Sequence, residues 1–215
     1  MDSHFVQTEA MLSKDEVMSI LLLNTVDGCS YAQKIYNVIS YSILKYQEKH
    51  SADRYLHSKT TKANIIHDYI KNDVVVLSLE DTNIRIFKQQ GMFTLILMNK
   101  VIFRFKKLDS DKKSRNVKTK QAESFKNQQL PFIGTEQSIV RLDAGYLLDV
   151  LGRDLKGVYF VKPKTKDSVG WRISAELELS VNDQIPLFSL KRTDFEDVLT
   201  IKPHLKDNES NKTGS

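Results

Sequence analysis

Ten lysines and arginines fall between residues 100 and 126 against three acids, a local charge of +7. Residues 1–70 hold seven against eight, a local −1, so the chain's net +5 can be assigned to that one stretch. Arg104, Lys106, Lys107, Lys112, Lys113, Arg115, Lys118, Lys120 and Lys126 could each neutralise a phosphate, while Asn116, Gln121 and Phe125 could touch bases. Such a set would give salt-dependent, largely sequence-independent affinity for nucleic acid, or a surface for an acidic protein partner. The plainer reading of the same residues is a solvated loop and helix face that keeps the protein soluble, because charge alone is a weak sign of a site.

Other reactive residues give less. His50, His57 and His67 stand seven and ten apart, spacings that can bring residues near one helical face. Neither matches a zinc protease helix or a Cys/His finger, and with no acidic cluster or extra thiol beside them they are expected to hold no metal. Cys29, the only cysteine, reads as a lone, partly buried thiol and excludes an intramolecular disulfide. No nucleophile elbow, papain-type cysteine surround, P-loop or dinucleotide fingerprint is present, so no cofactor is expected. Glu80 with Asp81 reads as a turn, and Glu176 with Glu178 as an exposed strand face. Trp171, Tyr146 and Tyr159 would fall on adjacent strands, as a stacking platform or, more simply, as core.

These residues need elements to position them. Ser13-Lys14-Asp15-Glu16 has the form of a capping box and predicts a helix from Lys14 to about Val26, stopped by Gly28. Ser30 can cap a second helix in which Ala32, Ile35, Tyr36, Ile39, Ile43 and Tyr46 recur at helical spacing. A third, capped by Ser58 or Thr60, places Ile65, Ile66, Tyr69 and Ile70 on one side and ends at Asn72. Four β-rich runs follow as a meander: Val74–Leu79, Ile84–Phe87, Met92–Met98 and Val101–Phe105. In the last of these, Val101, Phe103 and Phe105 face one way, and Ile102, Arg104 and Lys106 the other, as a basic edge above an aromatic row. A polar loop over 109–118 and a short helix over 119–129 lead to three antiparallel strands, within 139–150, 158–162 and 171–179.

The fold class is therefore α+β, an N-terminal helical group followed by largely antiparallel β-sheet regions. The parts expected are a helical one over 1–72, a meander with basic loop and helix over 73–130, an antiparallel β part over 131–205 and a disordered tail over 206–215. They can share one core. No apolar run is long enough to span a membrane, and with no signal-like start and one cysteine the expected compartment is the cytoplasm.

Arg104-Phe105-Lys106-Lys107-Leu108, Ser114-Arg115-Asn116-x-x-Thr119-Lys120-Gln121, Gly145-Tyr146, Trp171-Arg172 and Lys62-x-x-x-Ile66-His67-Asp68 give the chain a resemblance to a group of uncharacterised bacterial accessory-genome proteins, over roughly residues 60–177. That resemblance implies a two-gene toxin–antitoxin or phage-defence arrangement and a protein partner encoded nearby. It carries no residue roles. Two other readings stay open: a nucleic-acid-binding module using residues 104–126, and a nuclease or other enzyme without a recognisable motif.

Overall fold

Ser13 does cap a helix. In the computed structural model its hydroxyl accepts from the Glu16 amide at 3.2 Å, and the Glu16 carboxylate accepts from the Ser13 amide at 2.7 Å. Those bonds to Ser13 hold the Glu16 carboxyl below its ordinary pKa. The helix, α1, spans Lys14–Leu21 and stops short of the expected Val26. Thr25 and Asp27 offer the chain local alternatives to the helical ladder: the Thr25 hydroxyl donates to the Cys29 carbonyl, and Asp27 accepts from the Cys29 amide. Helix α2 spans Tyr31–Lys49 with Ser30 as cap, and α3 spans Lys59–Glu80 with Ser58 as cap.

The length of α3 corrects the sequence reading. Residues 74–79 are its last turns, not the first strand of a meander. Ile66, Ile70, Val74 and Leu77 are its buried residues, so the apolar stripe crosses Asn72 unbroken. Helical spacing against a packed neighbour overrides the β-propensity of the valines.

Six strands follow: β1 (Ile84–Gln89), β2 (Met92–Leu97), β3 (Val101–Lys107), β4 (Val140–Leu148), β5 (Leu155–Pro163) and β6 (Val169–Ser174). They form one sheet in chain order. Every neighbouring pair is antiparallel except β3 and β4, whose parallel register sets Arg104 beside Asp143. A parallel pair needs a crossover, and α4 (Lys120–Lys126) lies in that connection. The two expected sheet regions are thus one sheet, and the α+β class with a helical N-terminal group stands.

The structure describes residues 11–89, 91–114, 119–127, 139–164 and 169–175. All belong to one compact unit, Met1–Asn182. Glu176, Glu178 and the tail over 206–215 lie outside the described residues, as do Arg115, Asn116 and Lys118. No described helix is long and apolar enough to cross a membrane.

The sheet has two unequal faces. Leu95, Phe103, Phe105, Leu142, Tyr146 and Phe160 pack with Val17, Ile39, Tyr46, Ile66 and Ile70 of the helices in the main core. Ile96, Ile102 and Ile139 meet Phe125 of α4 on the other side. Period-two alternation along β3 sorts its residues between these cores, as the sequence predicts. Opposite the aromatic row, Ile102 and Arg104 are buried and Lys106 is half-buried, so the strand does not present an open basic edge. Nor do the three aromatics make a platform: Tyr146 is in the main core, Trp171 packs against it, and Tyr159 lies on the opposite face with Lys112 over its ring at 4.3 Å.

Candidate functional site

The end of α2 and the start of α3 bring together more chemistry than any other described place. His50 is the C-cap of α2, its amide bonded to the Tyr46 carbonyl at 3.1 Å. The chain then continues in turns, with Arg54 bonded to the His50 carbonyl, Leu56 to Asp53 and His57 to Arg54. This winding puts positions 50, 53 and 57 on one side, near helical register. His50 Nδ1 lies 3.3 Å from Asp53 Oδ1, and His57 Nε2 lies 3.7 Å from Asp53 Oδ2.

The two imidazoles are held from behind. Tyr46, at 0% exposure, sets its hydroxyl 2.9 Å from His57 Nδ1, and Tyr69 of α3 sets its hydroxyl 3.3 Å from His50 Nε2. Burial raises the Tyr46 pKa above its ordinary value, with the Asp53 carboxylate adding to the effect, so the hydroxyl stays neutral. The histidine rings stand 5.1 Å apart, centroid to centroid. Lys45 and Lys49 lie over the Tyr69 ring at 5.2 and 5.9 Å, and Lys62 over the Tyr46 ring at 5.0 Å.

The β4–β5 turn is tied to the same corner. Lys62 Nζ donates to the Gly152 carbonyl, and the Gln47 side chain donates through Nε2 to the Arg153 carbonyl. Burial, then the charges of Lys107 and Arg54, lowers the Lys62 pKa; Asp149 opposes them and Arg153 adds to them. The charges of Lys107, Arg54 and Arg153, on three other segments, are thus felt at Lys62. Beside them stand Tyr55, Leu56, Val150 and Leu151, which are 79, 70, 98 and 70% exposed.

The described residues of the basic stretch lie on β3, on the turn after it and on α4. Arg104 is 4% exposed, and its Nε and Nη2 donate to Asp143 Oδ1 at 3.0 and 2.7 Å. Its guanidinium lies 3.7 Å from the centre of the Phe125 ring, so both groups belong to the interior. Ser114 completes the set by donating to Asp143 Oδ2 at 2.7 Å. Lys106 and Lys107 are half-buried at the end of β3, and so are Lys112 and Lys113 in a turn whose Lys113 amide donates to Asp109. Lys113 Nζ is 3.6 Å from Asp111. Lys120 is exposed at the start of α4, and Gln121 is the next residue of that helix.

No protein-family model matches the chain, and no curated protein or solved structure does so either.

Asp53 and the two tyrosines are the residues sequence reasoning missed. Sequence spacing groups His50 and His57 with His67, but His67 is absent from the cluster that joins His50, Asp53 and His57. The available signal was His-x-x-Asp-x-x-x-His, with Tyr46 four residues upstream of His50. It becomes informative only once the connection is known to keep winding.

Proposed function

We propose that this chain is a binding protein acting through a protein partner, and that the partner docks on the corner between the α2–α3 connection and the β4–β5 turn. The observation that carries this reading is the exposure of Tyr55 and Leu56 on the α2–α3 connection and of Val150 and Leu151 on a β4–β5 turn that is bonded to Gln47 of α2 and Lys62 of α3, the two helices this connection joins. Tyrosine and arginine are enriched at the centres of protein interfaces, and the aliphatic side chains beside Tyr55 and Arg54 add apolar surface to be covered. Covering each would contribute about 1.5–3 kcal/mol. The complementary surface is an apolar patch with an acidic rim. The resemblance to accessory-genome proteins supports placing the pair in a two-gene toxin–antitoxin or phage-defence arrangement.

Co-purification with the product of the neighbouring gene tests the reading. A stoichiometric complex is expected, and Leu56→Asp with Val150→Asp should abolish it while leaving circular dichroism unchanged, because neither side chain is packed. No complex with the native chain, or a complex indifferent to both substitutions, would sink the proposal.

The bonds that hold Gly152 and Arg153 against Lys62 and Gln47, with the charges of Arg54, Lys107 and Arg153 felt at Lys62, favour a second reading, in which the corner holds a nucleic-acid backbone. That would show as co-eluting nucleic acid whose affinity falls steeply with salt, because bound counterions are released. Arg54→Glu would then weaken binding to every sequence alike.

A further inference from the structure

From His50, Asp53 and His57 we infer a divalent transition-metal site, with zinc as the cation it fits best, independent of whether the corner docks a partner. One donor atom from each of the three residues lies within 4.8 Å of the others. The two nearest pairs stand at 3.3 and 3.7 Å. Ligands about 2.0–2.1 Å from a tetrahedral zinc are roughly 3.3 Å apart, so small rotations about the side-chain bonds of Asp53 and His57 close the set. Two imidazoles and a carboxylate are borderline-soft and hard donors, which suit zinc over calcium or magnesium.

The surroundings match a metal site as well as the donors do. A ligating imidazole binds through one ring nitrogen and donates its other N–H to a fixed acceptor, which sets the tautomer and aims the ring. Here His50 would ligate through Nδ1 and His57 through Nε2. Their remaining nitrogens already meet the hydroxyls of Tyr69 and Tyr46. Those acceptors come from α3 and α2, so the rings are oriented by the helical core and not by the connection alone. Asp53 is about half exposed, at 52%, which leaves the outer side of the set open to water as a fourth ligand. A zinc ion would clip the C-cap of α2 to the far end of the α2–α3 connection and leave an exchangeable position beside Arg54.

The test is zinc titration of the full, untagged chain by calorimetry, with cobalt absorption as a report of coordination number. One equivalent should bind, and the cobalt complex should show the intense visible bands of a four- or five-coordinate ion. His50→Ala with His57→Ala should remove binding, whereas His67→Gln should leave it unchanged. Asp53→Asn and Tyr46→Phe are conservative enough to keep the fold should the alanine pair fail to fold: Tyr46→Phe should weaken zinc by about 10–100-fold, the range for a lost ligand-orienting bond, and Asp53→Asn, which replaces a charged ligand, by at least as much. Zinc should also raise the unfolding temperature of the native chain and not that of the double variant. Failure of the native chain to bind at 100-fold excess zinc would overturn the inference, as would binding unaltered by Asp53→Asn and Tyr46→Phe.

Discussion

Asp143→Asn separates a structural Arg104 from a binding one. In the native chain the Asp143 carboxylate is 1% exposed; one oxygen takes two donors from Arg104 and the other takes the Ser114 hydroxyl. A carboxamide has nearly the same shape, and Ser114 can rotate to accept from its amide nitrogen. The principal loss is charge. Arg104 would remain buried against Phe125 with no anion beside it, and removing one partner of a buried pair costs about 3–5 kcal/mol. At about 2–4 °C per kcal/mol for a chain of this size, the unfolding temperature should fall by roughly 6–20 °C.

Urea unfolding followed by the fluorescence of Trp171, the chain's single tryptophan, measures the loss. Arg104→Met with Asp143→Leu should recover most of it, since replacing both partners of a buried pair by apolar residues is often neutral. Lys112→Glu with Lys113→Glu should change stability by no more than about 1 kcal/mol, because both side chains reach solvent. If Asp143→Asn stays within about 1 kcal/mol of the native chain, or if the apolar pair is worse than either single change, Arg104 and Asp143 are not coupled as argued.

Two further predictions concern packing and pH. A Cβ on Gly145 would meet Cδ1 and Cγ of Leu108 at 2.5 Å, and Leu108 is itself buried and bonded through its amide to the Tyr146 carbonyl; Gly145→Ala should therefore cost about 1–3 kcal/mol in chemical denaturation, and Leu108→Ala in the same chain should cost less than it does alone. Burial, with Lys71 and Lys106 nearby, lowers the His67 pKa from 6.5 to about 4. The folded state thus resists a proton that the unfolded state accepts, so stability is full above pH 6.5 and falls by up to about 3 kcal/mol as pH drops to 4; unfolding curves for His67→Gln across that window should be flatter.

Local signals in the sequence located the helix starts better than their ends. Ser13, Ser30 and Ser58 each cap where a serine before an apolar period predicts a cap, because the bond between a serine hydroxyl and a nearby amide depends on three or four residues alone. Ends depend on the neighbour. Val74 to Leu79 has strand composition, and only the surface already fixed by Ile66 and Ile70 makes another two turns of helix the better arrangement. Arg104 fails for a similar reason. Its alternation with Phe103 and Phe105 correctly assigns it to the second face, but what covers that face comes from α4, more than fifteen residues on, and from Asp143 on a strand reached only by a parallel crossover.

The same distinction accounts for the site. His50, Asp53 and His57 are close in sequence, yet their spacing carries chemistry only if residues 50–57 keep winding after α2 ends, and that run has neither the apolar period nor the length that marks a helix. The turns persist because the amides of Ser51, Arg54, Leu56 and His57 find carbonyls three or four residues back, and because Tyr46 and Tyr69 hold both imidazoles from the helical side. Tyr46 packs in the core through its ring and meets His57 through its hydroxyl. Sequence periodicity identifies the first role and is silent on the second. Phenylalanine in its place would keep the periodicity and the core, and would release the His57 ring from the orientation on which any chemistry at this corner depends.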